Sequence, residues 1–203
     1  MSANNVFGRI VTGKVVRTAM TNHLKNWSPT YLAEVARAEG QDPATLPGFK
    51  SWVSAIELDE GKFEEHQMPS CVVVAPGILN EPEKRGGVYI ARWAVSVGCV
   101  VAGQDRESTF TLAEMYTAAV RAAVVQNPSL GGFATATDWL GERYDDVPND
   151  MLRTLAAGSV QFSVEVQGAV TLNGGPDAPL VDPLPDPGPR ATFVDVDVTT
   201  QGV

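Results

Sequence analysis

The segment Gly87–Asn127, GVYIARWAVSVGCVVAGQDRESTFTLAEMYTAAVRAAVVQN, constrains the fold of this chain more than any other stretch. In its first part Tyr89, Ala91, Trp93, Val95, Val97, Cys99 and Val101 fall on every second position. Side chains two apart share one face of a strand, so the spacing predicts a single long strand with one apolar face. Arg92 and Ser96 interleave with them and suit a wetter face. At about fourteen residues this is long for one straight strand, and Gly98 is the expected place for a bulge or bend. The run Ala102–Ser108 breaks the alternation and reads as a turn.

A helix is predicted next. Thr111-Leu112-Ala113-Glu114 has capping-box spacing, in which the hydroxyl accepts from an amide three residues on and the glutamate reaches back. Leu112, Met115, Tyr116, Ala119, Val120, Ala123 and Val124 then recur at helical spacing as one stripe. Asn127-Pro128 ends it, because proline disfavours helical geometry in the residue before it. The helix is expected to pack on the strand's apolar face, giving a layered α+β core. No nucleophile–base pair sits in this stretch, so it reads as core.

With 203 residues, 44% of them apolar and 19% charged, the chain is long enough for one globular domain with an extension. Its net charge of −9 argues against a general nucleic-acid binder, which needs clustered Lys and Arg. The charge is uneven: residues 1–50 carry six Lys/Arg against three Asp/Glu, and the chain from Gly174 onward carries five Asp against one Arg. Cys71 and Cys99 sit in apolar runs and read as small buried hydrophobes; a disulfide is open if their strands are neighbours. No secretory pattern or membrane-length apolar run is seen, so a soluble protein made in a cytoplasm is expected.

In chain order, Val6 to Asn26 reads as a first helix with Phe7, Ile10, Val11, Val15, Ala19, Met20 and Leu24 as its stripe. Its basic residues Arg9, Lys14, Arg17 and Lys25 lie mostly off that stripe and read as a solvated face. Ser28-Pro29 reads as the cap and first position of a second helix ending at Gly40. Strands are expected at Ser51–Leu58, Cys71–Ala75, Phe133–Gly141 and Leu155–Val170. Between them lie polar loops at Asp59–Pro69, Pro76–Gly86 and Glu142–Asp150. The expected fold is α+β, with a mixed or antiparallel sheet of four to six strands and helices on one face. It occupies residues 1–173. Residues 174–203 form a proline-rich C-terminal arm, with six prolines between Pro176 and Pro189. The arm ends in an alternating stretch with Phe193, Val194, Val196 and Val198, a strand that returns to its own sheet edge or adds to another chain's.

The chemical inventory is thin. His23 is on a predicted helix and His66 in an acidic loop. Glu64-Glu65-His66 are adjacent and do not make a coordination cage. Glu142, Asp145, Asp146 and Asp150 lack the spacing and turn glycine of a calcium loop. There is no CxxC, P-loop or GxGxxG after a strand, and Gly86-Gly87 and Gly131-Gly132 read as turn glycines. No catalytic residue, metal or cofactor is expected, and the chain reads as a non-enzyme.

Three pieces, Tyr89–Val101, Leu112–Gly132 and Leu155–Val166, in this order after an N-terminal helix, resemble the tail terminator (tail-completion) proteins of long-tailed bacteriophages. The resemblance spans roughly Val6 to Val170 and leaves the proline-rich arm outside it. It implies an α/β subunit of a homo-oligomeric, hexameric ring that caps the tail tube, ends its polymerisation and joins the tail to the head-completion connector. It implies a location in the virion after assembly in the host cytoplasm, with DNA passing through the lumen without specific binding and no membrane partner. An acidic lumen would repel phosphate, so Asp59, Glu60, Glu64, Glu65, Glu142, Asp145 and Asp146 are candidate lumen or rim loops. Phe193, Val194, Val196 and Val198 are the candidate inter-subunit strand. The alternatives are another connector or tail tube subunit, against which the helices weigh, and a small ligand-binding or enzymatic α+β domain, which needs a pocket of convergent polar groups.

Overall fold

The computed structural model describes residues 11–53, 65–85, 87–147 and 154–171. The elements are α1 (Gly13–Ala38), β1 (Ser51–Val53), β2 (Ser70–Ile78), β3 (Glu83–Arg85), β4 (Val88–Gly103), α2 (Arg106–Val125), β5 (Ala136–Asp146) and β6 (Thr154–Thr171), with short 3-10 turns at Pro43–Thr45 and Glu65–Gln67. The strands form one sheet in the order β1-β2-β4-β6-β5, with β3 also on β4. β1 runs parallel to β2, and every other pair is antiparallel. The fold is therefore α+β with a mixed sheet.

The long strand is the sheet's axis. Val95, Val97, Cys99 and Val101 of β4 are buried against the helices. So are their neighbours Val160, Phe162, Val164 and Val166 on β6. α2 supplies Ala113, Tyr116, Ala119, Val120 and Ala123 to the same core, and α1 supplies Val16, Met20, Leu24, Leu32 and Ala36. Alternation on two strands and a helical stripe thus meet as one interior, as their periods require. The other face is small and polar at its centre: Arg92 pairs with Glu165 at 3.0 Å, Ser96 faces Gln161 and Gly98 faces Ser159. A lesser cluster of Met68 and Val100, with Val53, Ala102 and Ala157, lies apart from the main core.

Several local expectations are corrected. One helix, not two, runs from Gly13 to Ala38 with Pro29 inside it. Proline at position 29 forfeits one amide bond, but Met20 and Leu24 before it and Leu32 and Ala36 after it are all fully buried. Packing on both sides holds the two halves as one rod. The α2 cap is Asp105, whose carboxylate accepts from the Ser108 amide at 2.9 Å and from its hydroxyl at 2.7 Å. Thr111 is inside the helix, donating to the Glu107 carbonyl. Gly98 stays in register; the irregularities fall at Tyr89/Ile90, in β2 between Val74 and Gly77, and in β5 between Trp139 and Gly141. In β2 Pro76, which lacks a donor, sits at the bulge. The stretch expected as the loop Pro76–Gly86 carries the end of β2 and all of β3. The turn after α2 places Leu130 at φ 48°, with its side chain buried and Gly131 and Gly132 also at positive φ. The start of the expected first helix (6–10), the end of the expected first strand and the adjoining loop (54–64), residues 148–153 and the arm lie outside the described residues.

Candidate functional site

Of the candidate lumen residues, Asp59, Glu60 and Glu64 lie outside the described residues, as do Phe193, Val194, Val196 and Val198. Glu65 opens a 3-10 turn. Glu142, Asp145 and Asp146 are not in a loop, which corrects the reading above: they lie on β5, an eleven-residue strand at the edge of the sheet. β5 extends because it pairs with β6 from Ala136 to Asp146, and that ladder outweighs the local polarity of GERYDD. Polar composition alone does not distinguish an edge strand with a wet side from a loop.

Two of the four carboxylates of β5, Glu142 and Asp146, are engaged by α2. Arg121 donates to Glu142 at 2.7 Å, and the second oxygen of Glu142 accepts from the Tyr144 hydroxyl at 2.8 Å. The Arg121 guanidinium also lies 5.0 Å from the centre of the Trp139 ring. Arg106 pairs with Asp146 at 2.7 Å. Burial, then the hydrogen bond and negative charge of Glu142, push the Tyr144 hydroxyl well above its ordinary range. Arg121, Trp139 and Tyr144 were not singled out from the sequence. The available signal was Trp139-Leu140: two consecutive large apolar side chains on a strand point to opposite faces, so both cannot face one core.

Large apolar side chains stand exposed at both ends of the sheet. Trp139 (49%), Leu140 (54%) and Val125 (46%) lie at the β5 end. Ile78 (45%) and Leu79 (43%) lie at the β2 end. Ile78 is opposite Trp93, and the Leu79 amide donates to the Arg92 carbonyl at 2.8 Å, which fixes both beside β4's first half.

The two histidines and two cysteines are now placed. His23 is buried between the helices, its Nε2 3.1 Å from the Ala123 carbonyl, so that nitrogen carries the proton. Cys71 and Cys99 are both buried and free, directly opposite one another on β2 and β4. Burial raises both thiols, Cys99 to about 12 against a partly offsetting hydrogen bond from Thr117, and Cys71 further helped upward by Cys99. His66 lines an open groove of about 610 Å³ with Lys50, Leu112 and Tyr116, whose hydroxyl donates to the Pro47 carbonyl at 2.5 Å. Among the described residues no group of three or more His, Cys, Asp or Glu is placed to hold a metal ion, and no helix is long and apolar enough to cross a membrane. No protein-family model matches the sequence, and no curated protein matches it.

Proposed function

We propose that this chain is a structural subunit of a long-tailed phage, a tail terminator that caps the tail tube as a hexameric ring and presents the surface that joins the head connector. The observation that supports this reading is the coming together of the three segments that carry the resemblance. Tyr89–Val101 is the axial strand, Leu112–Gly132 holds most of the helix across it, and Leu155–Val166 is the strand paired along it. In sequence they are separated; in space they are one packing unit whose side chains are used on each other. What this unit leaves over is surface for contact: a sheet face without a helix among the described residues, and apolar side chains at both sheet ends. The acidic segment Asp59–Glu65 remains the candidate for lumen or rim, where negative charge would keep DNA from sticking.

Electron microscopy of the purified protein, alone and mixed with tail tubes of the same source, tests the proposal. Closed rings, or density on one end of tubes that have stopped growing, are expected. Protein that forms no rings and leaves tube ends bare would sink the terminator reading, and a small compact oligomer with a bound ligand would favour the enzymatic or ligand-binding class.

A further inference from the structure

Cys71 and Cys99 are directly opposite on β2 and β4, and both are buried on the helix side of the sheet. Hydrogen-bond parity fixes what kind of pair they form. Along an antiparallel strand the N–H and C=O of each residue point together toward one neighbouring strand, and the direction alternates. The Val147 amide donates to the Leu155 carbonyl at 3.2 Å, so odd-numbered residues of β6 turn toward β5 and even-numbered ones toward β4. β4 and β6 pair without a shift from Ile90 onward, so the parity carries along both strands. Gly158 therefore turns toward its β4 partner Cys99, and Cys99 toward Gly158. The Leu79 amide, donating to the Arg92 carbonyl at 2.8 Å, gives the same result from the other side: even-numbered residues of β4 turn toward β2. Cys71 and Cys99 are thus a non-hydrogen-bonded pair, in which opposite Cα atoms stand about 4.5 Å apart and side chains come closest. That separation falls within the roughly 4.4–6.8 Å that a disulfide spans.

We propose that Cys71 and Cys99 are an oxidation site, at which a small disulfide such as oxidised glutathione converts the two thiols into a cross-strand disulfide that locks β2 onto β4. One cysteine thiolate attacks a sulfur of the small disulfide, which forms a mixed disulfide and releases one small thiolate. The other cysteine thiolate then attacks the protein sulfur of the mixed disulfide and expels the second small thiolate. Both cysteines lose their protons, two electrons pass to the small disulfide, and it leaves as two thiols. Because both sulfurs are buried, the first attack needs β2 lifted from β4, and β2 has only the three-residue β1 on its other side. Re-pairing of the strands then brings the second sulfur to the first, since the chain has no other cysteine. Among the described residues no third metal-ligating side chain joins the pair, which leaves sulfur–sulfur chemistry as its use. A loop of roughly thirty residues closed without strain favours the folded state by about 30- to 1000-fold. The pair stays open in a reducing compartment and closes in an oxidising one. Nothing in this chemistry depends on the function proposed above.

The test equilibrates the full-length protein, folded and in high urea, at graded ratios of reduced to oxidised glutathione, starting from the reduced protein and from protein oxidised while unfolded and then refolded. Approach from both sides keeps slow access to the buried sulfurs from hiding the result. After an acid quench, mass spectrometry reads the product: an internal disulfide is lighter than the dithiol by two hydrogens, and a glutathione adduct is heavier. The folded protein is expected to hold the disulfide at a glutathione poise about 30- to 1000-fold more reducing than the unfolded chain tolerates. By the same cycle, the oxidised protein should show the higher urea midpoint. Folded protein that holds the bridge no better than the unfolded chain would overturn the proposal. So would an oxidised form with an unchanged or lower urea midpoint, or glutathione adducts in place of the internal bridge.

Discussion

Replacing Gly158 by Ala should destabilise the protein, and removing one hydroxyl from the facing helix should reverse much of the loss. Gly158 on β6 lies opposite Cys99 on β4 and Tyr144 on β5, under α2. A Cβ there would stand 2.0 Å from Thr117 Oγ1 and 3.2 Å from both the Ala113 carbonyl oxygen and Tyr144 Cδ1. Thr117 is fully buried and donates to that same Ala113 carbonyl at 2.7 Å. Two effects oppose each other. Alanine restricts the unfolded chain, which stabilises by ~0.4–1 kcal/mol. Overpacking costs ~1–3 kcal/mol, at the upper end here because turning Thr117 aside also breaks a buried hydrogen bond worth about 1 kcal/mol. The clash wins, with a net loss of about 2 kcal/mol, or roughly 4–8 °C in Tm for a domain of this size. Thr117→Ala alone should cost about 1 kcal/mol. With both changes the 2.0 Å contact no longer exists, and the 3.2 Å contacts relax by tenths of an ångström. The double variant should then cost only about 1 kcal/mol, about 2 kcal/mol less than the sum of the singles predicts. Urea denaturation followed by circular dichroism measures all four corners of the cycle. Gly158→Ala as stable as the parent, or additivity within ~0.5 kcal/mol, would refute the close helix–sheet approach.

Alkaline conditions should weaken the fold through the cysteines. The thiol of Cys99 ionises near 9.0 when unfolded and at about 12 in the fold. Its contribution is full below the lower value and is lost as pH rises through the upper one, at ~1.4 kcal/mol per pH unit between them. Urea midpoints taken at pH ~8 and ~10 should fall less in Cys99→Ala than in the parent, and equal slopes would contradict the shift. Asp105→Ala should lower Tm and fray the start of α2, while Thr111→Ala leaves the helix start intact; amide exchange at Ser108 and Thr109 separates the two. Because two bonds from Ser108 hold Asp105 below its ordinary 3.8, the cap's contribution persists above that value and is lost as pH falls through the lowered one, a trend that Asp105→Ala should abolish. The native thiols should also resist an aromatic disulfide reagent until urea opens the sheet, since both are buried; rapid labelling of folded protein would count against the packed β2–β4 pair.

The candidate surfaces were less legible than the fold. Trp139 and Leu140 stand exposed on an edge strand, and that β5 is an edge strand follows from its pairing with β6, not from its own residues. Lys14, Arg17 and Lys25 read correctly as a solvated flank of a helix. That Lys25 stands over Trp52 of β1, at the end of the sheet remote from β5, is a property of strand order.

By itself the sequence determined the periodic elements: the alternating faces of β4 and β6, the stripe of α2 and the α+β class. Each of these is a local repeat, and the side chains two, three or four residues apart that define it are near neighbours in any fold that forms it. Tertiary structure alone decided where those repeats were overridden. Packing on either side of Pro29 made one helix of two. Pairing with β6 turned an acidic loop into β5, and sheet register set Cys71 opposite Cys99. In each case the deciding partner is distant along the chain or the energy is shared across a surface, and no window of the sequence contains both sides of that balance.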